Sequence, residues 1–395
     1  MSTLFTLDDT LGQSAKLKVV GVGGGGGNAL NNMISQNLRG VDFIIANTDS
    51  QAIEMSSADI KIQLGTEITR GLGAGADPQT GKIAAEGEKD RLREVLADTD
   101  MVFITAGMGG GTGTGGAPVI AEVAKELGIL TVAVVTKPFN FEGKRRMRQA
   151  DAGIAELARN VDTLIIIPNQ KLIGAVGKHT TMLEAFRKAD DVLLQAVRGI
   201  AELITHTGYM NVDFADVKAV MSDTSGMAMM GSGAACGESR ACEAAERAIS
   251  SPLLDDVDIH GARGILVNVT GNEDMTLAEY DEAVSIIHNM ADEDANIICG
   301  MVYDQAAGEE MRVTVVATGL AGEGGVQLTS VPTSQPREVV RPASVMASPG
   351  GERHEVATAP MGAREGVAAA AAVGQSLSYD EDELQVPTWI RRQAD

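Results

Sequence analysis

From Lys16 to about Gly208, short runs of β-branched and other apolar residues alternate with stretches whose apolar positions recur every three or four residues. The runs Leu17–Val22, Phe43–Asn47, Met101–Ala106, Leu130–Thr136 and Thr163–Pro168 are apolar at nearly every position instead of every second one, so they read as strands covered on both faces. Between them, Gly81–Leu96 and Ala117–Leu127 carry helical spacing. This alternation predicts an α/β fold with a Rossmann-like parallel sheet.

A longer helical pattern follows at 181–205. Leu183, Phe186, Leu193, Val197, Ile200 and Ile204 recur at helical intervals and predict one buried stripe. Such a helix would span roughly 37 Å at 1.5 Å per residue, enough to join opposite ends of a domain. Beyond it, Gly264–Thr270, Asn296–Val302 and Arg312–Ala317 read as strands and Leu277–Met290 as a helix, a smaller α/β unit with a mixed sheet. The expected layout is a short N-terminus (1–15), a nucleotide-binding domain (16–180), a central helix with its following turn (181–210), a C-terminal domain (211–320), a linker (321–378) and a terminal peptide (379–395). The linker mixes Pro, Ser, Gly, Ala and charges without periodicity, which predicts disorder. The peptide regains character, with an acidic run, then Leu384, Val386, Pro387, Trp389 and Ile390, then Arg391 and Arg392. It holds the only tryptophan of the chain, and a disordered tail has no core in which to bury one, so this reads as a docking peptide.

Composition narrows the function. A formal charge of −22 argues against a nucleic-acid surface or passive adhesion to anionic lipid, since both need clustered Lys and Arg. Cys236, Cys242 and Cys299 form no C-x-x-C pair and fit reduced thiols of a cytosolic protein. Met1 to Gln13 lacks the basic-then-apolar pattern of a signal peptide, and no run of about 18 apolar residues suggests insertion into a membrane.

The 46 glycines point to loops with unusual backbone demands, and three glycine-rich stretches offer chemistry. Gly21-Val-Gly-Gly-Gly-Gly-Gly27-Asn28 lies between a strand and a helix, where backbone N–H groups can approach a phosphate. It satisfies G-x-G-x-x-G at Gly21, Gly23 and Gly26, and Asp42 lies 21 positions beyond Gly21, so a dinucleotide site stays open at this point. The second loop, Ala106-Gly-Met-Gly-Gly-Gly-Thr-Gly-Thr-Gly-Gly116, also joins strand to helix and adds the hydroxyls of Thr112 and Thr114. A second phosphate cradle in one sheet has no role in a simple dinucleotide site. A third stretch, Gly71-Leu-Gly-Ala-Gly-Ala-Asp-Pro78, is placed to close over a terminal phosphate.

Gly109-Gly-Gly-Thr-Gly-Thr-Gly115 resembles the signature loop of the tubulin/FtsZ family of GTPases, and Gly23–Asn28, Lys137-Pro-Phe-Asn-Phe-Glu-Gly143 and Asn211-Val-Asp-Phe-Ala-Asp216 resemble motifs of its bacterial branch. The resemblance runs from about Lys16 to Leu320, and Leu384–Gln393 resembles the family's C-terminal peptide. It implies a GTP site in which Gly23, Gly24, Gly25, Gly26, Gly27 and Asn28 hold phosphates, Gly75 and Ala76 lie by the γ-phosphate, and Gly109, Gly110, Gly111, Thr112 and Gly113 cradle the phosphate chain. Glu142 would accept from the ribose and Arg146 would reach the nucleotide. Phe186 and Asp190, four residues apart and so on one helix face, would stack on the guanine and accept from its N1–H and N2–H.

The resemblance also implies that Asp213 and Asp216 polarise the attacking water in a neighbouring subunit, with Asn211 and Asp213 near a cation, Mg²⁺ and optionally a monovalent ion. If Phe186 and Asp190 touch the base, the far end of the helix lies roughly 28 Å away, out of reach of the chain's own γ-phosphate. A head-to-tail stack brings the two together, and such a contact propagates as an open filament. For an isolated aspartate, capping the helix that begins near Phe214 is the plainer role. The family further implies a place in the cytoplasm at the mid-cell division site, and membrane-anchoring and regulatory division proteins as partners of the terminal peptide. One departure is Ser222-Asp-Thr-Ser-Gly-Met-Ala-Met-Met-Gly231, where the family's usual segment carries a bulkier glycine–aromatic pair; changed packing beneath the carboxylate loop is expected.

Overall fold

Strands β1 (Leu17–Val22), β2 (Val41–Asn47), β3 (Ile60–Gln63), β4 (Met101–Gly107), β5 (Leu130–Lys137) and β6 (Thr163–Pro168) run parallel in the order β3-β2-β1-β4-β5-β6. The order reverses between β1 and β4, and a parallel sheet binds its ligands at the carboxyl ends of such a pair. The structure, a computed structural model, describes residues 15–175, 180–205, 212–222, 226–254 and 261–320.

Alternation along the strands feeds two cores. Leu17 and Val19 of β1 point into one face with Ala29, Leu30 and Met33 of α1 (Gly23–Ser35), while Val20 and Val22 point into the other. That second face is covered by α4 (Pro78–Glu86), α5 (Lys89–Leu96), α6 (Thr112–Glu126) and α7 (Lys144–Leu157). The short helices α2 (Ser50–Glu54) and α3 (Thr66–Thr69) follow β2 and β3, and α8 (Asn169–Ala175) follows β6. The stretch expected as one helix over Gly81–Leu96 is two, parted at Gly87 and Glu88, and starts earlier because Asp77 caps α4 through the N–H groups of Gln79 and Thr80.

The long pattern is one helix, α9 (Met182–Thr205), opened by Thr181 and Glu184 in reciprocal hydrogen bonds. Its buried surface differs from the expected stripe. Leu183 is exposed, whereas Ala189, Val192, Leu194, Ala196 and Leu203 join Leu193, Val197 and Ile200 inside. The cause is that α9 is clad on several sides, by α1, by β5 and β6, and by three strands of the C-terminal part. Small residues allow that approach: a Cβ on Gly199 would lie 2.7 Å from the Thr314 side chain.

The C-terminal part extends the same sheet. After α10 (Phe214–Ser222), β7 (Gly226–Cys236) pairs in parallel with β6 through Gly226–Ala228 and then antiparallel with β10 (Glu310–Thr318). Strands β8 (Gly264–Gly271) and β9 (Asn296–Tyr303) complete a ten-stranded order ending β6-β7-β10-β8-β9, with α11 (Arg240–Ile249) and α12 (Leu277–His288) packed on it. The pattern reading missed β7, whose sequence GMAMMGSGAAC holds no β-branched residue. Its glycines serve packing: a Cβ on Gly231 or Gly233 would lie 2.0 Å from the carbonyl of Ala248 or 2.1 Å from that of Ala244, both on α11. The divergent segment after Met221 therefore begins this strand, with residues 223–225 outside the described ones.

Candidate functional site

The loops after β1 and β4 meet at the order reversal. Gly23 turns the chain at φ +70°, and a Cβ there would lie 2.8 Å from the backbone nitrogen of Gly113. Gly25 lies against Gly107, and Gly26 against the Thr105 carbonyl, where a Cβ would come within 2.3 Å. Gly24 and Gly110, in contrast, have nothing within 4 Å of such an atom. Gly24, Gly25 and Asn28 are exposed on the first turns of α1, whereas Gly27 is buried against Ile45. Neither α1 nor α6 has a side-chain cap at its N-terminus. Two helices thus present uncapped N–H groups around adjacent glycine loops, which is the chemistry of a polyphosphate cradle.

The threonines of the second loop hold its shape. The buried Thr114 hydroxyl accepts the Gly109 N–H at 2.8 Å, so it braces the loop. Thr112 shares a 2.6 Å hydrogen bond with Thr48, a residue after β2 that pattern reading overlooked. The third glycine stretch closes from the side: Ala74 and Asp77 abut Gly111, and Gly75 and the non-glycine Ala76 follow in left-handed conformation at φ +60° and +58°, both exposed.

Across the loops, the turn after β5 brings up Phe139, Glu142 and Arg146. Glu142 accepts the Phe139 N–H at 2.9 Å and the Arg146 guanidinium at 2.7 Å, so acid and base arrive as a pair. The Arg146 carbonyl abuts Gly109, whose own Cβ would lie 2.8 Å away. Phe139 stacks on Phe141 at 5.0 Å and meets the edge of Phe186 on α9 at 5.3 Å, which gives a flat ring an aromatic wall. One turn along α9 stands Asp190, half-buried at its surface, with its carboxyl pushed up to about 7 by burial and then by the neighbouring charge of Asp191. Asn169, directly after β6, is buried, and its Oδ1 has no hydrogen-bond partner among the described residues. That buried acceptor suits a ligand donor; its only sign in the sequence was an amide at the end of an apolar strand.

These features converge with the comparisons. Residues 16–177 match the Tubulin/FtsZ family, GTPase domain, and residues 226–321 match the FtsZ family, C-terminal domain. The cell division protein FtsZ of Pseudomonas aeruginosa is 51% identical over 400 residues, covering 99% of this chain and 100% of its own. The chain belongs to the FtsZ family. The FtsZ of Coxiella burnetii is 58% identical over 322 residues, 82% of this chain and 83% of its own. An empty FtsZ dimer from M. jannaschii matches with a TM-score of 0.75 and 48% identity, over 78% of this chain and 89% of that one. A GTPγS-bound protofilament of CetZ2 from Haloferax volcanii shares the fold at a TM-score of 0.63 and 21% identity, over 77% of this chain and 93% of that one.

Membership in the FtsZ family disposes of the dinucleotide alternative, and the structure gives the reason. Asp42 opens β2 at the amino edge of the sheet, whereas the glycine loops lie at the carboxyl edge. Asp213 and Asp216 come after α9 in the chain instead of in those loops. Both are exposed at the start of α10; Asp213 accepts the Ala215 N–H at 3.3 Å through its carboxylate and begins the helix, so a capping role is present. The opposite end of α10 is bonded to Thr163, the first residue of β6, at 2.6 Å. Asn211 and the peptide residues Leu384, Val386, Pro387, Trp389, Ile390, Arg391 and Arg392 lie outside the described residues. Among the described residues no helix is long and apolar enough to cross a membrane.

Proposed function

We propose that the chain binds GTP across the two glycine loops and hydrolyses it to GDP and phosphate only where a second copy supplies Asp213 and Asp216, so that copies stack head to tail into the filaments of the bacterial division ring. The observation that carries this is the separation within one sheet: the phosphate loops follow the carboxyl ends of β1 and β4, while α9 runs to the amino edge before delivering Asp213. Stacking copies along that axis puts one edge against the other and leaves each end open for the next subunit.

In this reading the N–H groups of Gly23–Asn28 and Gly109–Gly113 take the phosphates, and Gly75 and Ala76 flank the γ-phosphate. Glu142 turns from Arg146 toward the ribose hydroxyls, and Arg146 toward the nucleotide. Phe186 stacks on the guanine, and Asp190 accepts its N–H groups, while the buried Asn169 oxygen is a further acceptor for a ligand donor. The adjacent copy's Asp213 and Asp216 orient a water in line with the γ-phosphorus and take up its proton as the P–O bond to GDP breaks. The backbone donors stabilise the charge that shifts toward the leaving phosphate. The loops supply neutral donors and Arg146 a single positive charge, so a triphosphate seated here retains most of its negative charge. That need fits Mg²⁺ carried on the phosphate oxygens, with Asn211 and Asp213 at its margin, where it would offset charge; a monovalent ion is a further candidate. Losing the γ-phosphate would loosen the contact and turn the filament over.

The terminal peptide, Leu384 to Arg392, would tether filaments to membrane-anchoring and regulatory division proteins, with Leu384, Val386, Trp389 and Ile390 as apolar anchors and the arginines as charged complement. A linker of about 55 residues allows that docking while leaving lateral freedom. Light scattering and phosphate release, followed with Mg²⁺ and GTP or ATP, test the whole reading. Scattering with GTP alone, and hydrolysis per subunit that rises steeply above a threshold concentration, is the expected result; hydrolysis independent of protein concentration overturns it.

A further inference from the structure

Thr48, the residue after β2, touches two of the glycine stretches at once. Its backbone carbonyl accepts the Gly73 N–H of the third stretch at 3.2 Å and the Thr69 hydroxyl at 3.3 Å. Its side-chain hydroxyl lies 2.6 Å from that of Thr112, the first residue of α6 in the second loop. The next two residues fix the same seam: the Ser50 N–H donates to the Gly71 carbonyl at 3.0 Å, and Asp49 pairs with Leu72 in an isolated β-bridge. Thr112 in turn stands against the first loop, since a Cβ on Gly23 would lie 3.2 Å from its own Cβ. One buried residue outside every glycine motif is therefore held by the third stretch and set against the second.

The two hydroxyls are not equivalent. Thr48 is 0% exposed and Thr112 9%, so of the pair only Thr112 has a way to a ligand. Among the described residues the Thr112 oxygen is the one partner of the Thr48 hydroxyl. A hydroxyl has a single proton to give. Were Thr112 the donor, the Thr48 proton would be buried with no acceptor and would bear its full desolvation penalty. With Thr48 as donor both protons are placed, and that of Thr112 must point away from Thr48. We propose that Thr48 is a positioning residue for the phosphate chain, which by donating to Thr112 fixes the Thr112 hydroxyl as a donor to a phosphate oxygen. This rests on the assignment of the glycine loops to the phosphates. A phosphate oxygen only accepts, so a hydroxyl beside it attracts when its proton faces that oxygen and repels when its lone pairs do. The bond from Thr48 settles this orientation before the nucleotide arrives. It also polarises the Thr112 O–H, which strengthens the bond that Thr112 passes on.

The test is calorimetric titration of the full chain, freed of nucleotide, with GDP, which keeps hydrolysis out of the readout. Alanine is the probe, because a valine methyl would crowd an oxygen now at 2.6 Å. Thr112→Ala should bind GDP about thirtyfold more weakly than wild type, and Thr48→Ala about fivefold more weakly. Since Thr48 acts through Thr112, the double variant should bind no more weakly than Thr112→Ala alone. Thr48→Ser keeps the hydroxyl but not the methyl and should stay within about twofold of wild type, a rescue that a mere packing role would not give. Thr48→Cys, whose thiol is a weak donor, should fall between serine and alanine and gives a second measure of the same loss. Thermal melting of each variant without nucleotide confirms that folded proteins are compared. Unchanged GDP affinity in Thr112→Ala overturns the assignment of the second loop to the phosphates. A weakened Thr112→Ala, together with wild-type affinity in Thr48→Ala, losses that add in the double variant or a serine variant as weak as the alanine one, overturns the role of Thr48 alone.

Discussion

Thr205, in the last turn of α9, rests against Gly40: the glycine holds φ +77°, and a Cβ on it would lie 2.7 Å from the threonine side chain. Gly40 immediately precedes β2, so this contact pins the end of the helix to the amino edge of the sheet, while its start meets Phe139 beyond the carboxyl end of β5. The helix therefore acts as a strut of roughly 36 Å across the domain.

Gly40→Ala should then do more than lower stability. The left-handed backbone and the steric overlap together should cost about 1–3 kcal/mol, read as a lower melting temperature. Because the shift occurs at the end that leads toward Asp213, the rate of phosphate release should fall at saturating GTP, while GDP affinity at the opposite edge stays near wild type. Equal losses in both would mean that the strut does not divide the two functions.

The glycines of the first loop separate packing from ligand space. Gly26→Ala drives a methyl group against the Thr105 carbonyl and should melt several degrees early. Gly24→Ala meets nothing in the protein and keeps an ordinary backbone, so its melting temperature without nucleotide should match wild type. A methyl group there would occupy the approach to the phosphates, and GTP affinity should drop at least about tenfold, equivalent to about 1.4 kcal/mol. Fluorescence titration with a labelled nucleotide checks the difference; unaltered affinity in Gly24→Ala would move the phosphates elsewhere.

Most of this site was legible in the sequence because its chemistry needs local motifs. Each glycine loop follows a strongly apolar strand, and Phe186 and Asp190 share a face by helical spacing alone. What was not legible depends on contacts between distant segments. Strand β7 carries glycine, alanine and methionine where α11 crowds it, so its sequence obeys the helix packed on it more than any strand propensity. The exposure of Leu183 could not be read from periodicity, since α9 is clad on several sides and its first turn projects beyond them. Nothing in the sequence showed that the Thr114 hydroxyl also accepts the N–H of Gly109 and so braces its own loop. Asn169 gave no signal beyond an amide after a strand, and only its burial without a partner marks it.

Acid should weaken the C-terminal part through one ion pair. Arg240 and Glu279 meet at 2.7 Å between α11 and α12, largely shielded from solvent, and Glu279 also accepts the Thr276 N–H at 2.8 Å as part of a helix cap. The Arg240 hydrogen bond above all holds Glu279 down at about 2. A folded value below the unfolded one means that the stabilisation is complete above pH 4.5 and is lost as pH falls from there toward 2. The contribution is about 2 kcal/mol. Glu279→Gln should lower stability at pH 7 by about that amount and flatten its decline over this window, as measured by urea unfolding at a series of pH values.

Whether the catalytic site is shared between copies can be decided by mixing two inactive variants. Asp213→Asn keeps the glycine loops and the base face but lacks the carboxylate at the opposite edge, and its hydrolysis should fall about 100-fold or more. Asp190→Asn keeps Asp213 and Asp216 but binds GTP poorly. If each chain completed its own site, an equal mixture would show only the mean of two low rates. If the site forms between copies, the interfaces that join an intact GTP edge to an intact carboxylate edge are one in four at random. Phosphate release should then recover to about a quarter of the wild-type rate. The recovery should also depend on total protein concentration, since it needs contact between chains, and dilution below the assembly threshold should abolish it. A mixture that stays inactive while light scattering shows co-assembly would return catalysis to the single chain. Asp213 would then be left with the structural role its hydrogen bond to the Ala215 N–H already gives it at the start of α10.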